Sequence, residues 1–204
     1  MTAPDWRASV VEYIRREAQP KDKFGHQPRL YALACKIGEG EGLAYDDDVV
    51  FAAAWMHDLG VFLGHRPEDP EALAKWDHVP YTVARTRELL AGWGFPAEKI
   101  DHVAAAIGTH QAHQDPVEIE AVLLRDADIL EQLGAIGALR ACVKVGRDTR
   151  YESFTQVLTM LARVLNDLPS RLRLKHAKLL AVPRVQALRG FLTAVESEAG
   201  NLLI

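Results

Sequence analysis

Apolar residues in this chain recur at helical spacing along most of its length. Leu30, Leu33, Ala34 and Ile37 stand at positions i, i+3, i+4 and i+7, which is one face of an α-helix. Val103, Ala106, Ile107 and His110 repeat the spacing, and Leu158, Leu161, Ala162 and Leu165 repeat it near the C-terminus. No stretch alternates apolar and polar residues with β-branched side chains over the length of a strand, so a sheet has nothing to build on. The expected fold class is all-α, a helical bundle with a C-terminal helical extension. A chain of 204 residues can bury a core that needs no staples. No stretch of flexible composition separates two halves. We therefore read one domain over 1–204, with a core at about 20–146 and the extension at about 147–204.

Helix-breaking and capping residues divide the pattern. Candidate helices run over 5–18, 27–39, 48–59, 77–91, 96–112, 116–133, 135–145, 151–167, 170–180 and 183–199. Asp46, Asp47 and Asp48 stand before Val49, where carboxylates cap a helix and complement its dipole. Pro96 and Pro116 occupy positions suited to a first helical turn. Residues 60–76, with Gly64, Pro67 and Pro70, form the longest irregular stretch, the kind of loop that often serves as a lid or binding loop.

Composition excludes several classes. The formal net charge is −4, so a basic footprint for duplex nucleic acid is not expected. The longest apolar run, 49–56, is far short of the ~20 residues of a membrane span. Asp5, Arg7, Glu12, Arg15, Arg16 and Glu17 interrupt the first twenty residues, which leaves no signal-peptide core there. Cys35 and Cys142 lie far apart on apolar stretches and read as buried free thiols, which suits a reducing cytoplasm.

The chemistry is concentrated in histidines and aspartates. His57 and Asp58 end the apolar run Phe51-Ala52-Ala53-Ala54-Trp55-Met56, and Gly60 would stop that helix. An imidazole and a carboxylate at the end of a buried helix are costly unless paired or metal-bound. His26 precedes another helix, and Asp126 and Asp128 interrupt the apolar segment from Leu123 to Leu130. Two imidazoles and two carboxylates make a ligand set for one divalent ion: Mn, Fe, Co, Ni, Zn or Mg.

The order His26, His57-Asp58, Asp128 resembles the HD-domain metal-dependent phosphohydrolase superfamily, whose core is a helical bundle. The resemblance runs from about His26 to Gly137. Ala53-Ala54-Trp55-Met56-His57-Asp58-Leu59-Gly60 is similar to the helix that names the family. Arg125-Asp126-Ala127-Asp128-Ile129-Leu130 with Leu133-Gly134-Ala135-Ile136-Gly137 resembles a segment typical of small bacterial stand-alone members. The resemblance implies His26, His57, Asp58 and Asp128 as metal ligands. On an ideal helix Asp126 and Asp128 are about 200° apart, so both cannot face one ion; Asp126 shares the face of Leu123, Leu130 and Leu133. The family's Ala-Asp-x-Leu context favours Asp128.

Further roles follow from the same reading. Asp58 would orient the water, and His78 or His110 would protonate the leaving oxygen. In two-metal relatives later histidines hold a second ion, so a second metal is left open. Arg29, one turn after His26, and His113, three residues after His110 and so expected on the same helix face, are candidates to bind phosphate. The implied function is metal-dependent hydrolysis of a phosphate ester or anhydride of a nucleotide or small phosphorylated metabolite. The alternatives are a catalytically silent nucleotide-binding signalling module and a di-iron oxygenase. The last third, with its apolar stripes and the basic residues Arg171, Arg173, Lys175 and Lys178, suits a bundle extension, a homodimer face or a lid.

Overall fold

Ten α-helices and no strand make up the regular secondary structure of the described residues, 5–147, 151–200 and 202, in a computed structural model, together with short 3-10 turns. The helices are α1 (Trp6–Glu17), α2 (His26–Glu41), α3 (Asp47–Met56), α4 (Pro70–Ala74), α5 (His78–Gly92), α6 (Ile100–Gly108), α7 (Ile119–Gln132), α8 (Gly134–Cys142), α9 (Phe154–Arg171) and α10 (Lys175–Ala199). The all-α expectation holds. The chain divides into two compact units, Met1–Ala127 and Asp128–Ile204, with the division inside α7.

In the first unit α3 is the central element. Every residue from Val49 to Met56 is at most 8% exposed, so the helix is buried on all sides. Its polar ends anchor it. The Asp46 carboxylate accepts from the amides of Asp48 (3.0 Å) and Val49 (3.3 Å), satisfying donors that a helix start leaves open. Arg7 of α1 donates to Asp47 (2.7 Å) and Asp48 (2.6 Å), and Lys99 donates to Asp46 and Asp48. Trp6 and Tyr31 pack edge-on against Phe51. With its start fixed to α1 and to the turn before α6, α3 delivers His57 and Asp58 at its far end.

Burial raises the Asp46 carboxyl, but the Lys99 and amide hydrogen bonds outweigh it. The hydrogen bond from Arg7 leads the lowering at Asp48, so both acids sit below their ordinary values. A lowered folded value means stability that is present above the unfolded value of about 4 and lost as pH falls through the folded one. Replacing Asp46 by Ala should cost about 1–2 kcal/mol in urea unfolding near neutral pH, mostly through the cap. The difference from wild type should narrow as the pH is taken from 6 toward 3.

Gly60 departs from its expected part. Helix α3 ends at Met56, and Gly60 lies in a 3-10 turn, Leu59–Val61. A Cβ there would fall 2.8 Å from the His78 carbonyl oxygen and 2.9 Å from Thr82 Oγ1. The glycine therefore lets this turn approach the start of α5. Its amide donates to Thr82 Oγ1 (3.0 Å), and Trp76 Nε1 donates to its carbonyl (2.9 Å). The stretch expected to be irregular contains this turn and α4.

Other boundaries shift for local reasons. Pro96 leads into a 3-10 turn, Ala97–Lys99, and α6 begins only at Ile100. Helix α7 begins three residues after Pro116. In the second unit α10 runs through Pro183, where a break between two helices was expected. Pro183 and Leu179 both face solvent, so water can satisfy the Leu179 carbonyl that loses its partner. Within this unit Arg184 Nη1 donates to the Leu130 carbonyl (2.9 Å), covering one of the open carbonyls at the end of α7. Cys35 and Cys142 are free, as expected, but half-buried rather than buried.

Candidate metal centre

Helix ends bring the histidines together. His26 is the first residue of α2, His57 follows the last residue of α3, His78 is the first residue of α5, and His110 lies just beyond α6. Each helix thus projects an imidazole from a terminus. Asp58 leaves the α3 direction with φ −103° and ψ 11° and meets all four rings.

Two triads result. The ligand atoms of His26, His57 and Asp58 lie within 4.8 Å of one another, and so do those of Asp58, His78 and His110. His26 Nε2 is 3.3 Å from His57 Nε2 and 3.7 Å from Asp58 Oδ2. His57 Nε2 is 3.6 Å and His78 Nε2 3.8 Å from Asp58 Oδ1. His57 and His110 pack edge to face with ring centroids 5.1 Å apart. His26, His57 and His110 are at most 3% exposed.

The tautomers can be assigned by partner. His57 Nδ1 lies 3.0 Å from the Ala54 carbonyl, and His110 Nδ1 lies 2.6 Å from the Ile107 carbonyl. A carbonyl only accepts, so Nδ1 carries the proton in both rings and, in the neutral ring, Nε2 offers a lone pair. Backbone carbonyls that orient histidine ligands in this way are usual around metals. Burial acts to raise the Asp58 carboxyl, but the charges of His57, His26, His78 and His110 outweigh it and hold it well below its ordinary range. Imidazole nitrogens converging on one carboxylate fit a divalent ion of the Mn-to-Zn series.

The expected ligands His26, His57 and Asp58 therefore come together. His78 and His110, expected as proton donors, reach the same carboxylate and complete a second donor set. The sequence signal for His78 is its place directly after the capping Asp77, whose side chain accepts from the Val79 amide at 3.0 Å. His110 and His113 do not share a helix face, because α6 ends at Gly108. His110 turns inward, while His113 is exposed beside Gln114 and joins neither triad. The Arg29 side chain is half-buried, and its guanidinium lies over Gly25, the residue before His26. His102 is exposed and paired with Glu118. Asp126 is fully buried against Arg125 at 3.2 Å, and Arg125 also donates to the Ala112 carbonyl. Asp128, the first residue of the second unit, is half-buried and its carboxylate accepts from Gln132 Nε2 at 3.0 Å.

Residues 24–133 match the HD domain family model, more than half of the chain. The chain belongs to the HD domain family. Among solved structures this HD protein is similar to YpgQ of Bacillus subtilis, with 22% identity over 98% of this chain and 99% of that one and a TM-score of 0.70. A second YpgQ structure, in complex with ADP, is 21% identical over 96% of this chain and 98% of that one, with a TM-score of 0.68. An HD-superfamily hydrolase from Bacillus thuringiensis is 20% identical over 96% and 97% of the two chains, with a TM-score of 0.67. No curated protein matches the chain. Among the described residues no helix is long and apolar enough to cross a membrane.

Proposed function

We propose that this HD protein is a metal-dependent phosphohydrolase that cleaves a phosphate ester or anhydride of a nucleotide or small phosphorylated metabolite. The observation that carries the reading is the convergence of four buried or half-buried imidazoles on one carboxylate, Asp58. His26, His57 and Asp58 would hold one divalent ion, and Asp58, His78 and His110 offer a donor set for a second. When bound, such an ion supplies positive charge for phosphoryl oxygens and lowers the pKa of water. The protein's own residues fix the geometry. The Ala54 and Ile107 carbonyls lock two imidazoles, and the anchored α3 keeps His57 and Asp58 in register. Arg29, one turn along α2 from His26, supplies a planar cation able to clamp phosphoryl oxygens. The ADP bound by a YpgQ structure of the same fold supports a nucleotide as ligand.

The test is a panel of nucleotides and sugar phosphates with Mn, Co, Ni, Zn or Mg. Phosphate release should vanish on chelation and return with one or more of these metals; release that survives full metal removal would contradict the reading. Asp128→Asn and Asp126→Asn, assayed side by side for bound metal, decide which carboxylate of α7 serves as the expected fourth ligand, Asp128 being the proposed one. The second triad is also what a di-iron oxygenase would require. Iron analysis with Mössbauer spectroscopy separates the two, since a hydrolase needs no coupled iron pair.

A further inference from the structure

The basic residues of the last third are not scattered. The chain holds 24 lysines and arginines against 28 aspartates and glutamates. Six of those cations and none of those acids fall within residues 168–195, in a chain of net charge −4. This segment forms the end of α9 and most of α10, inside the second unit. Helix α10 turns one stripe inward: Ala177, Ala181 and Leu188 are at most 4% exposed, and Arg184 of the same stripe donates to the Leu130 carbonyl. The opposite side faces solvent. Lys175, Lys178, Val182, Gln186 and Arg189 are all exposed and fall within about 80° of arc on an ideal helix, with Leu179 beside them. At a rise of ~1.5 Å per residue the strip from Lys175 to Arg189 is ~21 Å long. The first acid on α10, Glu196, comes about two turns after Arg189.

Apolar groups are set among these charges. Leu179 is 67% and Val182 53% exposed. A groove of about 300 Å³ runs beside them between α9 and α10, floored by Pro169, Leu172, Ala181 and Val185, with Lys178 and Arg189 in its lining and no carboxylate. Neither Lys178 nor Arg189 makes an ion pair among the described residues. A second copy of the chain fits this face poorly. Antiparallel packing of α10 about a two-fold axis would set Lys178 against Arg189 of the copy, with no acid to offset the repulsion. A polyanion without apolar parts, such as a nucleic acid backbone, leaves Leu179 and Val182 unused. An anionic lipid surface meets both features, since its headgroups pair with the cations while its acyl boundary takes the apolar side chains. At about 0.1 M salt, charges more than ~10 Å apart are largely screened, so the strip and not the net charge of −4 governs the approach.

We propose that the outward face of α10 docks this HD protein on an anionic lipid surface, with Lys175, Lys178 and Arg189 at the headgroups and Leu179 and Val182 at the acyl boundary. The contact lies on the bilayer and does not span it. It uses none of the histidine–aspartate cluster and is independent of the phosphohydrolase reading. The full chain is sedimented with vesicles of phosphatidylcholine alone and of phosphatidylcholine with about one-third phosphatidylglycerol, at about 0.1 M and about 0.5 M salt. Each cation near an anionic surface is worth roughly fivefold in partitioning. Wild type should sediment with the anionic vesicles at low salt only. The double variant Lys178→Gln, Arg189→Gln should lower that binding at least tenfold. Lys36→Gln with Arg163→Gln removes the same charge from exposed positions elsewhere and should leave binding within about twofold. Leu179→Ser should weaken it about threefold or more through lost apolar burial. No binding of wild type to anionic vesicles, equal binding to neutral ones, or an equal loss in the Lys36 and Arg163 control would overturn the proposal. So would tighter binding of polyglutamate or single-stranded DNA that Leu179→Ser leaves unchanged, which would mark a soluble polyanion as the partner.

Discussion

Replacing Asp58 by Ala should abolish phosphate release, by on the order of 10³-fold or more, and should remove bound metal as well. The expected size follows from topology as much as from chemistry. Asp58 is the one residue common to the two triads among the described residues, so its loss empties both donor sets at once. The four imidazoles that remain would lack the one carboxylate that the two triads share. Neutral imidazoles bring lone pairs but no negative charge to offset that of a divalent ion, so its hold would weaken strongly. His57→Ala removes one donor of the first triad only. It should weaken metal binding strongly while leaving Asp58, His78 and His110 in place. The double replacement of His57 and Asp58 should match Asp58→Ala in turnover. Metal content by mass spectrometry, read beside turnover for all three variants, checks the ordering. A fully active, metal-replete Asp58→Ala protein would contradict it.

Gly137→Ala should destabilise the second unit by about 2–3 kcal/mol and lower the melting temperature on the order of 5–10 °C. A Cβ at Gly137 would lie 2.1 Å from the Gln132 carbonyl oxygen and 2.5 Å from its carbonyl carbon. Those are backbone atoms at the end of α7, which cannot swing aside as the tip of a flexible side chain can. The tight turn between α7 and α8 also needs Gly134 at φ +83°, a conformation that side chains with a Cβ rarely adopt. A Gly190→Ala change in α10 is the matched control, because a Cβ there meets nothing within 4 Å and the helix gains propensity. Thermal unfolding should show a clear loss for Gly137→Ala and none for Gly190→Ala. Equal melting temperatures for the two would remove the packing account of this turn.

Much of the architecture was legible because burial and periodicity coincide. The spacing of Leu30, Leu33, Ala34 and Ile37 marks the inner face of α2, and all four are at most 7% exposed. The run ending in His57-Asp58 was legible as a buried helix with a polar terminus, since nothing else places such residues after Met56. Proline misled at Pro183, because sequence alone does not show that the carbonyl losing its partner would face water. Histidine spacing misled at His113, because nothing local announced that α6 stops at Gly108. The meeting of His78 and His110 with Asp58 had only a faint local signal. It depends on α5 approaching the Gly60 turn, a contact set by the missing Cβ of one glycine and by Thr82 hydroxyl bonds. Such long-range packing is not written in any window of the chain.

Anomalous X-ray scattering from crystals equilibrated with Mn or Ni tests the central claim most directly. The account predicts a strong peak within bonding distance of His26 Nε2, His57 Nε2 and an Asp58 carboxylate oxygen, and its loss in the Asp58→Ala protein. No peak among these side chains at saturating metal, with the strongest site elsewhere on the surface, would contradict it.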